Sequence, residues 1–473
     1  MSERKTNKVC GKMYLRIEGV LASPLLIGSG EDNRTDMDVL VRADGTPYIP
    51  GTSLAGVLKE DFDRRTGPDG EPYKNEYLLF GSAQFEKKDT SFQSRIFVYD
   101  AELNCTADHL ILRDGVKLNQ HKVSEHMAKF EMQAVPAGTA YTMILEIVVR
   151  EELLKEHKGD LEKVWKQDQD AVLPALAAMQ EGFIRLGARS SRGFGRIRIE
   201  HILYKKFDLR KSVEYEKWLD WNWDQEDAFE EGEALSAEDI LSFLPEKNHC
   251  LCVPFTITNT LLIRQYRAQQ DKKLDYGQLT GVPDSEGKPQ AVIPGSSMAG
   301  AVRSYLAYRV MDFAGGIGWR EAQKALAPFF GTWVASGENE KLSKSAVIFE
   351  EAVIQKGKLV TLTRNAVDRF TGGTAMGALF SEQVCVGGKL VLQVRWTEKE
   401  GLDQDVLCGL LLWAVFGLEN GFLPIGGETG VGRGILQRTG DILMDGKMLE
   451  EGRCRRAAAQ WCMGLNNGGR RGD

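Results

Sequence analysis

The sequence lacks several patterns that define common classes of protein. Its eight cysteines are scattered, and only Cys250 and Cys252 are closely spaced, which excludes a disulfide-rich scaffold and leaves no second ligand pair for a zinc site. No basic segment followed by an apolar run opens the chain, so we expect a cytoplasmic protein with free thiols. The longest apolar run, residues 406–418, is too short to span a bilayer, so no membrane partner is expected.

Common catalytic and nucleotide-binding patterns are also missing. The six histidines show no HExxH spacing, and the chain has no Gly-x-Ser-x-Gly elbow. Neither of its Gly-rich segments ends in Gly-Lys-Ser or Gly-Lys-Thr, which disfavours nucleotide hydrolysis. The net charge of −7 argues against a protein coated with nucleic acid, although a local basic groove remains compatible with it.

The chain does contain an internal repeat. Tyr48-Ile-Pro-Gly-Thr-Ser-Leu-Ala-Gly56 returns as Val292-Ile-Pro-Gly-Ser-Ser-Met-Ala-Gly300. Each copy predicts a strand, a tight turn and a helix whose first turn is capped by Ser or Thr. The free backbone N–H groups at such a helix start suit a phosphate group.

Further pairs of matching segments follow in the same order along the chain. They are Leu79-Phe-Gly81 with Phe329-Phe-Gly331, Arg113-Asp-Gly-Val with Arg364-Asn-Ala-Val, and Gly193-Phe-Gly-Arg196 with Gly430-Val-Gly-Arg433. Matches in one order predict a duplicated domain. Alternating and helical hydrophobic patterns within each copy predict an α+β fold, with a helix at 54–64 and another at 173–184 in the first copy.

We assign residues 1–204 to the first domain and residues 249–473 to the second. The segment 205–248 between them carries eight carboxylates and no basic residue from Asp224 to Asp239. Such a run is typical of a solvated connector. Three tryptophans precede it and are expected to dock the connector on a neighbouring surface: Trp218, Trp221 and Trp223.

Arginines flank a Gly-rich loop near the end of each copy. The first loop has Arg185, Arg189, Arg192 and Arg196, and the second has Arg433. Glycine lets a ligand approach the backbone closely, and the arginine guanidinium matches phosphate in a fork geometry. Loops of this kind in both copies favour binding to an RNA or DNA backbone.

These landmarks resemble the RAMP superfamily, specifically the backbone subunits of type III CRISPR effector complexes. The resemblance rests on both Pro-Gly turns, on Val135-Pro-Ala-Gly138, on Arg364-Asn-Ala-Val-Asp-Arg-Phe-Thr-Gly-Gly-Thr-Ala375 and on both Gly-rich loops. It implies two tandem RRM-like (ferredoxin-like) domains, each with an inserted β-hairpin thumb that kinks a guide–target duplex. The thumbs are expected at about 113–134 and about 361–381.

The resemblance also implies a function, which is that of a CRISPR guide-RNA-binding backbone subunit. The implied partners are guide RNA, complementary target RNA and other type III effector subunits. The residues expected to contact RNA are Ser53, Lys59, Lys117, Lys122, Arg189, Ser191, Arg192, Ser297, Arg303, Arg364, Arg369, Thr429 and Arg433.

In the family, an aspartate before the Pro-Gly turn helps to cleave target RNA with a divalent metal, here Mg²⁺ or Mn²⁺. Counting back along the loop places Asp36 at that position, with Asp38 as the fallback. In the second copy Asp275 is the candidate catalytic and metal-binding residue, with Asp271 and Asp284 as competitors because its loop is longer. The alternative is a non-catalytic RNA-binding scaffold of the same kind of complex. A guide-processing nuclease is disfavoured because no histidine lies near either Gly-rich loop.

Overall fold

The computed structural model describes residues 7–30, 35–65, 79–81, 93–225, 227–229, 232–265, 274–333 and 342–468. The elements up to residue 241 are β1 (Val9–Leu21), β2 (Tyr48–Ile49), α1 (Gly51–Arg64), β3 (Ile96–Val98), β4 (Ala101–Leu103), β5 (Ile111–Leu118), β6 (Ser124–Ala134), β7 (Ala140–Arg150), α2 (Glu151–Glu156), α3 (Leu161–Gln180), β8 (Ile197–Asp208), α4 (Ser212–Asp220), β9 (Glu233–Ser236) and α5 (Ala237–Leu241).

The elements of the second half follow a similar order. They are β10 (Asn248–Ile257), β11 (Thr260–Leu261), β12 (Arg264–Gln265), β13 (Gly277–Gln278), β14 (Val292–Ile293), α6 (Gly295–Ala314), α7 (Trp319–Ala325), α8 (Ala327–Phe330), β15 (Val347–Phe349), β16 (Ala352–Val353), β17 (Lys358–Val367), β18 (Thr374–Val386), β19 (Lys389–Thr397), α9 (Gln404–Glu419), β20 (Leu436–Arg438), β21 (Leu443–Met444), β22 (Lys447–Met448) and α10 (Glu451–Gly468).

Each half is built on an antiparallel sheet with its longest strand at the centre. In the first sheet the order is β2-β4-β7-β1-β8-β9, and in the second it is β15-β19-β10-β21-β22, with β20 also paired to β10. The main elements of each domain follow the order strand, helix, strand, strand, helix, strand, and the first strand lies between the third and the fourth in the sheet. This is the ferredoxin-like arrangement. The prediction of two tandem α+β domains of this kind is therefore confirmed.

Each core lies between the sheet and its helices. Met13, Leu15 and Ile17 alternate along β1 and are fully buried, since successive side chains of a strand point to opposite faces. In the first domain the buried helix is longer than the pattern 173–184 predicted. It begins at residue 161 because the Asp160 carboxylate accepts a hydrogen bond from Lys163 N at 3.1 Å and caps it there.

A long hairpin leaves each domain where the sequence placed a thumb. Strand β5 pairs with β6 in the first domain, and β17 pairs with β18 in the second. The second hairpin extends beyond the predicted 361–381 at both ends because its register continues from Lys358 to Val386. Phe370, at the turn of this hairpin, is 99% exposed.

The helices after the two Pro-Gly turns start differently from the prediction. Pro50 and Pro294 occupy the N-cap positions, and no Ser or Thr side chain caps either helix. In the first domain Gly51 N instead donates to the Asp100 carboxylate at 2.8 Å. The capping group therefore comes from a distant strand end, which local sequence cannot reveal.

The acidic segment 205–248 packs against the first domain. Strand β9 pairs with β8, and Trp218 Nε1 donates to the Tyr14 hydroxyl at 3.0 Å. Trp221 lies 4.6 Å from the Tyr14 ring, centroid to centroid, on the sheet face opposite α1 and α3. The tryptophans thus cover a sheet face, while the domain boundaries assigned from sequence stay predictions.

The two domains meet through a contact surface that we call the junction. It joins the first Gly-rich loop, around Ser190–Arg192, to the start of α6 and to the end of β15. Arg185 forms a buried ion pair with Glu350, and Arg113 Nη2 lies 3.3 Å from Glu351 Oε2. Glu350 and Glu351 follow β15 directly, so one strand end of the second domain supplies both carboxylates.

Candidate nucleic-acid interface

The two candidate catalytic aspartates occupy the same position in their domains. Asp36 N donates to Glu131 O at 3.1 Å, and the Asp36 carboxylate accepts from Glu131 N at 2.7 Å. Asp275 makes the same pair of bonds with Ser381, both at 2.8 Å. Each aspartate is therefore held at the second strand of its own thumb, and both side chains are exposed.

This geometry separates Asp36 and Asp275 from their competitors. Asp38 is buried, and its carboxylate accepts hydrogen bonds from Thr35 N and Thr35 Oγ1, at 3.0 and 2.8 Å. Asp284 closes a turn by accepting from the backbone N–H groups of Glu286 and Lys288. Asp38 and Asp284 thus have structural partners, and Asp271 lies outside the described residues.

The Gly-rich loops correspond in a register that differs from the sequence alignment by two residues. The matching left-handed glycines are Gly193 with Gly432, at φ of 92° and 85°, and Gly195 with Gly434, at 75° and 76°. Matching Gly193 with Gly430 was wrong, because the spacing of the second loop's glycines permits two registers. Only backbone conformation distinguishes the two registers, since Gly430 has no positive φ.

In the corrected register, Arg189 and Glu428 are equivalent. Both have a left-handed backbone, with φ of 60° and 55°, at the start of a short 3₁₀ turn, Ser190–Arg192 in the first domain and Thr429–Val431 in the second. The Arg189 guanidinium lies 4.4 Å from the centroid of Phe130, which precedes the Glu131 that holds Asp36. The equivalent loop position therefore carries arginine near the first aspartate site and glutamate near the second, where Arg264 stacks on Tyr276 beside Asp275 at 4.5 Å.

The glutamate of the second loop is surrounded by arginines. Glu428 lies 2.5 Å from Arg364 and 3.1 Å from Arg433, and Arg433 also pairs with Glu382 at 2.7 Å. Arg433 is only 4% exposed. The prediction that Arg433 contacts RNA is therefore corrected: its guanidinium is buried in an ion-pair network whose glutamates lie elsewhere in the sequence.

The first loop has arginines without such partners. Among the described residues no carboxylate forms an ion pair with Arg189 or Arg192. Burial lowers the pKa of Arg189, and the positive charge of Arg192 lowers it further. The Arg192 side chain is exposed to solvent, so a charged group of another molecule can reach it.

The second domain contributes to this same region. A Cβ atom on Gly295, the first residue of α6, would lie 2.7 Å from the Arg192 carbonyl, so only glycine permits the contact. Arg303, further along α6, has a pKa lowered to about 10 by burial and by the charge of Arg192. Arg303 also donates to Gln323 Oε1 at 2.6 Å and to Phe330 O at 3.0 Å, so it anchors its helix as well as adding positive charge.

The remaining predicted RNA contacts are distributed over the chain. Ser297 lies in the first turn of α6 and Ser191 in the first loop, so both join the junction. Exposed cations stand at the thumb turns, Lys122 in the first and Arg369 in the second. The others have ion-pair partners or lie away from the junction: Lys59 with Asp63, Lys117 with Glu125, Arg364 with Glu382 and Glu428, and the half-buried Ser53 and Thr429.

The described residues contain no group of three or more Asp, Glu, His or Cys side chains placed to hold a metal ion. Asp36 and Asp275 each offer one exposed carboxylate, which is a hard oxygen ligand of the kind Mg²⁺ and Mn²⁺ prefer. Such a site fits a metal only if water and a bound phosphate supply the other ligands. Within the same residues, no helix has the length and apolar character needed to cross a membrane.

Comparison with known families agrees with this architecture. The model of the RAMP superfamily matches residues 20–198 and again residues 282–437, one match in each domain. No curated protein is significantly similar to the chain. Because the two matches together cover more than half of the sequence, the chain belongs to the RAMP superfamily and is a double-domain, CRISPR-associated RNA-binding protein.

Proposed function

We propose that this chain is a backbone subunit of a type III CRISPR effector, which binds guide RNA at the junction and cleaves target RNA beside Asp36. The observation that carries this proposal is the group of arginines at the junction, Arg189, Arg192 and Arg303, close to an exposed aspartate. Guanidinium groups without internal carboxylates suit the phosphates of an RNA backbone. The same loop thereby serves both the guide and the reacting strand.

The proposed cleavage step is an attack by a 2′-hydroxyl of the target on its own adjacent phosphate. It breaks the bond from phosphorus to the 5′-oxygen of the next nucleotide, leaving a 2′,3′-cyclic phosphate on one product and a 5′-hydroxyl, which takes up a proton, on the other. The thumb at 111–134 would kink the strand so that the hydroxyl oxygen and phosphorus come into line. Asp36 lies at the base of that thumb, and Arg189, which stacks on the nearby Phe130, would stabilise negative charge on the reacting phosphate. A divalent cation held by Asp36 and the RNA would neutralise phosphate charge.

The test uses the assembled complex with an end-labelled complementary RNA, in Mg²⁺ and in EDTA. We expect cleavage in Mg²⁺ that Asp36→Asn removes while guide and target binding persist, because the carboxylate acts on the transition state. Asp44→Asn is the matched control, since Asp44 is also an exposed loop aspartate that accepts a backbone N–H, from Thr46 at 2.9 Å. Unchanged cleavage by Asp36→Asn would overturn the catalytic assignment and leave the RNA-binding role.

The second candidate function is an RNA-binding scaffold without catalysis. The observation that favours it concerns the second domain, where Glu428 replaces Arg189 and neutralises its neighbours. Because Glu428 forms ion pairs with Arg264, Arg364 and Arg433, less of their positive charge is available to a phosphate beside Asp275. If substitutions at Asp36 and Asp275 leave the lengths of the target-RNA products unchanged, a scaffold without catalysis describes this chain better.

We propose that the exposed end of the second domain binds a further RAMP-type subunit. Phe183 packs at the junction, 5.7 Å from the Arg395 guanidinium, and its equivalent Phe422 is 66% exposed. Phe422 stacks on Phe416 at 6.2 Å, and nearby Val431, the equivalent of Arg192, is 64% exposed. The apolar patch therefore continues the kind of surface that the first domain already uses to contact another domain.

Mass photometry of the guide-bound complex tests this docking surface. Phe422→Asp should reduce incorporation of the neighbouring subunit, because a charge would be buried in the contact. Phe370→Asp is the control, since Phe370 is equally apolar and more exposed but lies at the tip of the second thumb. Equal assembly of the Phe422→Asp variant and the unmodified chain would contradict the proposal.

A further inference from the structure

Two cysteines form a close thiol pair on the sheet of the second domain. Cys250 and Cys252 lie on the same face of β10, because side chains two residues apart along a strand point the same way. Their Sγ atoms are 3.5 Å apart, and both side chains are partly exposed. Neither residue takes part in the RNA-binding or cleavage that we propose above.

A buried arginine lies against this pair. Arg395, on the neighbouring strand β19, is 4% exposed, and its Nη1 donates to Cys250 Sγ at 2.6 Å. Its Nε lies 3.0 Å from Glu350 Oε1. The guanidinium thus connects the thiols to the carboxylate that the junction uses.

The charges around Glu350 are unbalanced. Glu350 is shared by Arg395, by the buried Arg185 and by Arg196, whose Nη1 lies 3.9 Å from it. The nearest further carboxylate to Arg395 in the described residues is that of Glu181, at 3.9 Å. At the thiols themselves Arg395 is the cation in contact and favours a thiolate, while Glu350 and Asp445, whose Oδ1 accepts from Cys250 N at 2.7 Å, oppose it.

One thiol of the pair differs in its pKa from the other cysteines. The hydrogen bond within the pair lowers the pKa of Cys252 to about 7, helped by the nearby Arg395 and opposed by burial and Asp445. The same hydrogen bond raises the pKa of Cys250, so the pair holds one thiolate and one thiol. Burial instead raises the pKa of Cys385 to about 11 and that of Cys462 to about 12. Low pKa and partial exposure are the properties of oxidation-sensitive cysteines.

We propose that Cys250 and Cys252 are an oxidisable dithiol, which a hydroperoxide converts into an intrachain disulfide. In the first step the Cys252 thiolate attacks the peroxide, forming a sulfenic acid and releasing hydroxide. In the second step the Cys250 sulfur attacks the sulfenic acid, forming the S–S bond, and its proton leaves with the hydroxyl group as water. The two sulfurs lose two electrons together, and the peroxide accepts them.

The strand permits this bond but does not make it relaxed. Residues two apart on an extended strand have Cα atoms roughly 6.6 Å apart, near the upper limit of about 6.8 Å for a disulfide. A bond at this limit is easily reduced, so the modification is reversible by thiols. The adjacent guanidinium disfavours the alternative of a bound metal cation, and no third metal ligand accompanies the pair among the described residues.

The test treats the full-length reduced chain with hydrogen peroxide, blocks remaining thiols with N-ethylmaleimide and counts them by peptide mass spectrometry. We expect two of the eight thiols to escape alkylation, both in the peptide containing residues 250–252, and to return after dithiothreitol. In Cys250→Ser, dimedone should label Cys252, because the sulfenic acid can no longer be resolved. Alkylation of all eight thiols after peroxide treatment would overturn the proposal.

Two comparisons check its physical basis. Cys408 and Cys454 are also neighbours, but both are buried and burial raises the pKa of both thiols, so they should stay reduced. Arg395→Met should slow oxidation about tenfold, the effect of a pKa shift of about one unit, whereas Arg395→Lys should slow it less. Preferential oxidation of Cys408 and Cys454, or equal rates for the two Arg395 variants, would contradict the role assigned to the guanidinium.

Discussion

The two Gly-rich loops share a backbone and differ in charge. Arg189 and Glu428 have the same left-handed conformation at equivalent positions. Arg189 has no carboxylate partner among the described residues, whereas the Glu428 carboxylate forms ion pairs with three arginines. The first loop therefore has charge available for an external anion, while the second uses its charge internally. A repeated backbone thus fixes where a side chain stands but not what it binds.

The largest effect that we expect is on the free energy of unfolding. Arg433→Ala removes the buried cation between Glu382 and Glu428 and should lower the stability by about 3–5 kcal/mol, because it leaves carboxylates without their partner. Arg192→Ala, at the exposed position of the first loop, should lower it by less than about 1 kcal/mol. Urea unfolding of both variants measures the difference. Equal midpoints for the two variants would remove the distinction between the loops.

The next effect is on target cleavage. Asp36→Asn should slow cleavage beside the first thumb by roughly 100-fold or more, the scale for losing a group that stabilises transition-state charge. Asp275→Asn should have a smaller effect, because Glu428 stands where the first site has arginine. Single-nucleotide gels of a labelled target resolve the two events, with Asp284→Asn as the control for Asp275. A larger loss from Asp275→Asn would reverse the proposed ranking of the sites.

A smaller effect concerns guide-RNA affinity. Arg189→Ala and Arg192→Ala should each weaken binding by about tenfold, similarly for different RNA sequences, because phosphate contacts carry no base information. The slope of log affinity against log salt should fall by about 0.7 per lost contact with single-stranded RNA. Arg198→Ala is the control, since Arg198 is an exposed arginine on β8 that already has a carboxylate partner, Glu200 at 3.7 Å. Sequence-selective losses would mean that these arginines contact bases.

The smallest effect is a pH dependence confined to the second domain. Burial opposes the charged form of His249, but hydrogen bonds to Asp445 and Glu398, at 2.8 and 2.9 Å, outweigh it and raise the pKa. Since the folded pKa lies above the unfolded value of about 6.5, the stabilisation is complete below that pH and is lost as pH rises through the folded pKa. His249→Gln should therefore cost up to about 1 kcal/mol at pH 5.5 and little at pH 9 in urea unfolding. An equal cost at both pH values would contradict the assignment.

Much of the architecture could be predicted because local sequence determines it. The repeated Pro-Gly turns and the polar hairpins each depend on a few neighbouring residues, whereas Asp36 is held by Glu131 from a distant part of the chain. The loop register could not be predicted, because Gly430, Gly432 and Gly434 allow two alignments that differ only in backbone φ.

Which arginines are buried in ion pairs could not be predicted from the sequence either. Arg433 is buried because Glu382 and Glu428 meet it in the folded chain, and Arg113 is neutralised by Glu351 from the other domain. No pattern near Arg433 or Arg113 distinguishes them from Arg192. Pairings between residues far apart in sequence are set by tertiary structure, so the basic character of a loop in the sequence does not establish a basic surface.

The junction has a consequence for the order of sites along a bound strand. Because both domains belong to one polypeptide, the Gly193 loop and the start of α6 meet at an effective concentration on the order of millimolar, without any need for a high intrinsic affinity. The covalent connection also fixes the ratio of the two loop types at one to one. An RNA that binds along several such chains would contact arginine-bearing and glutamate-bearing loops in strict alternation. Its phosphates would therefore be bound tightly at one loop and weakly at the next.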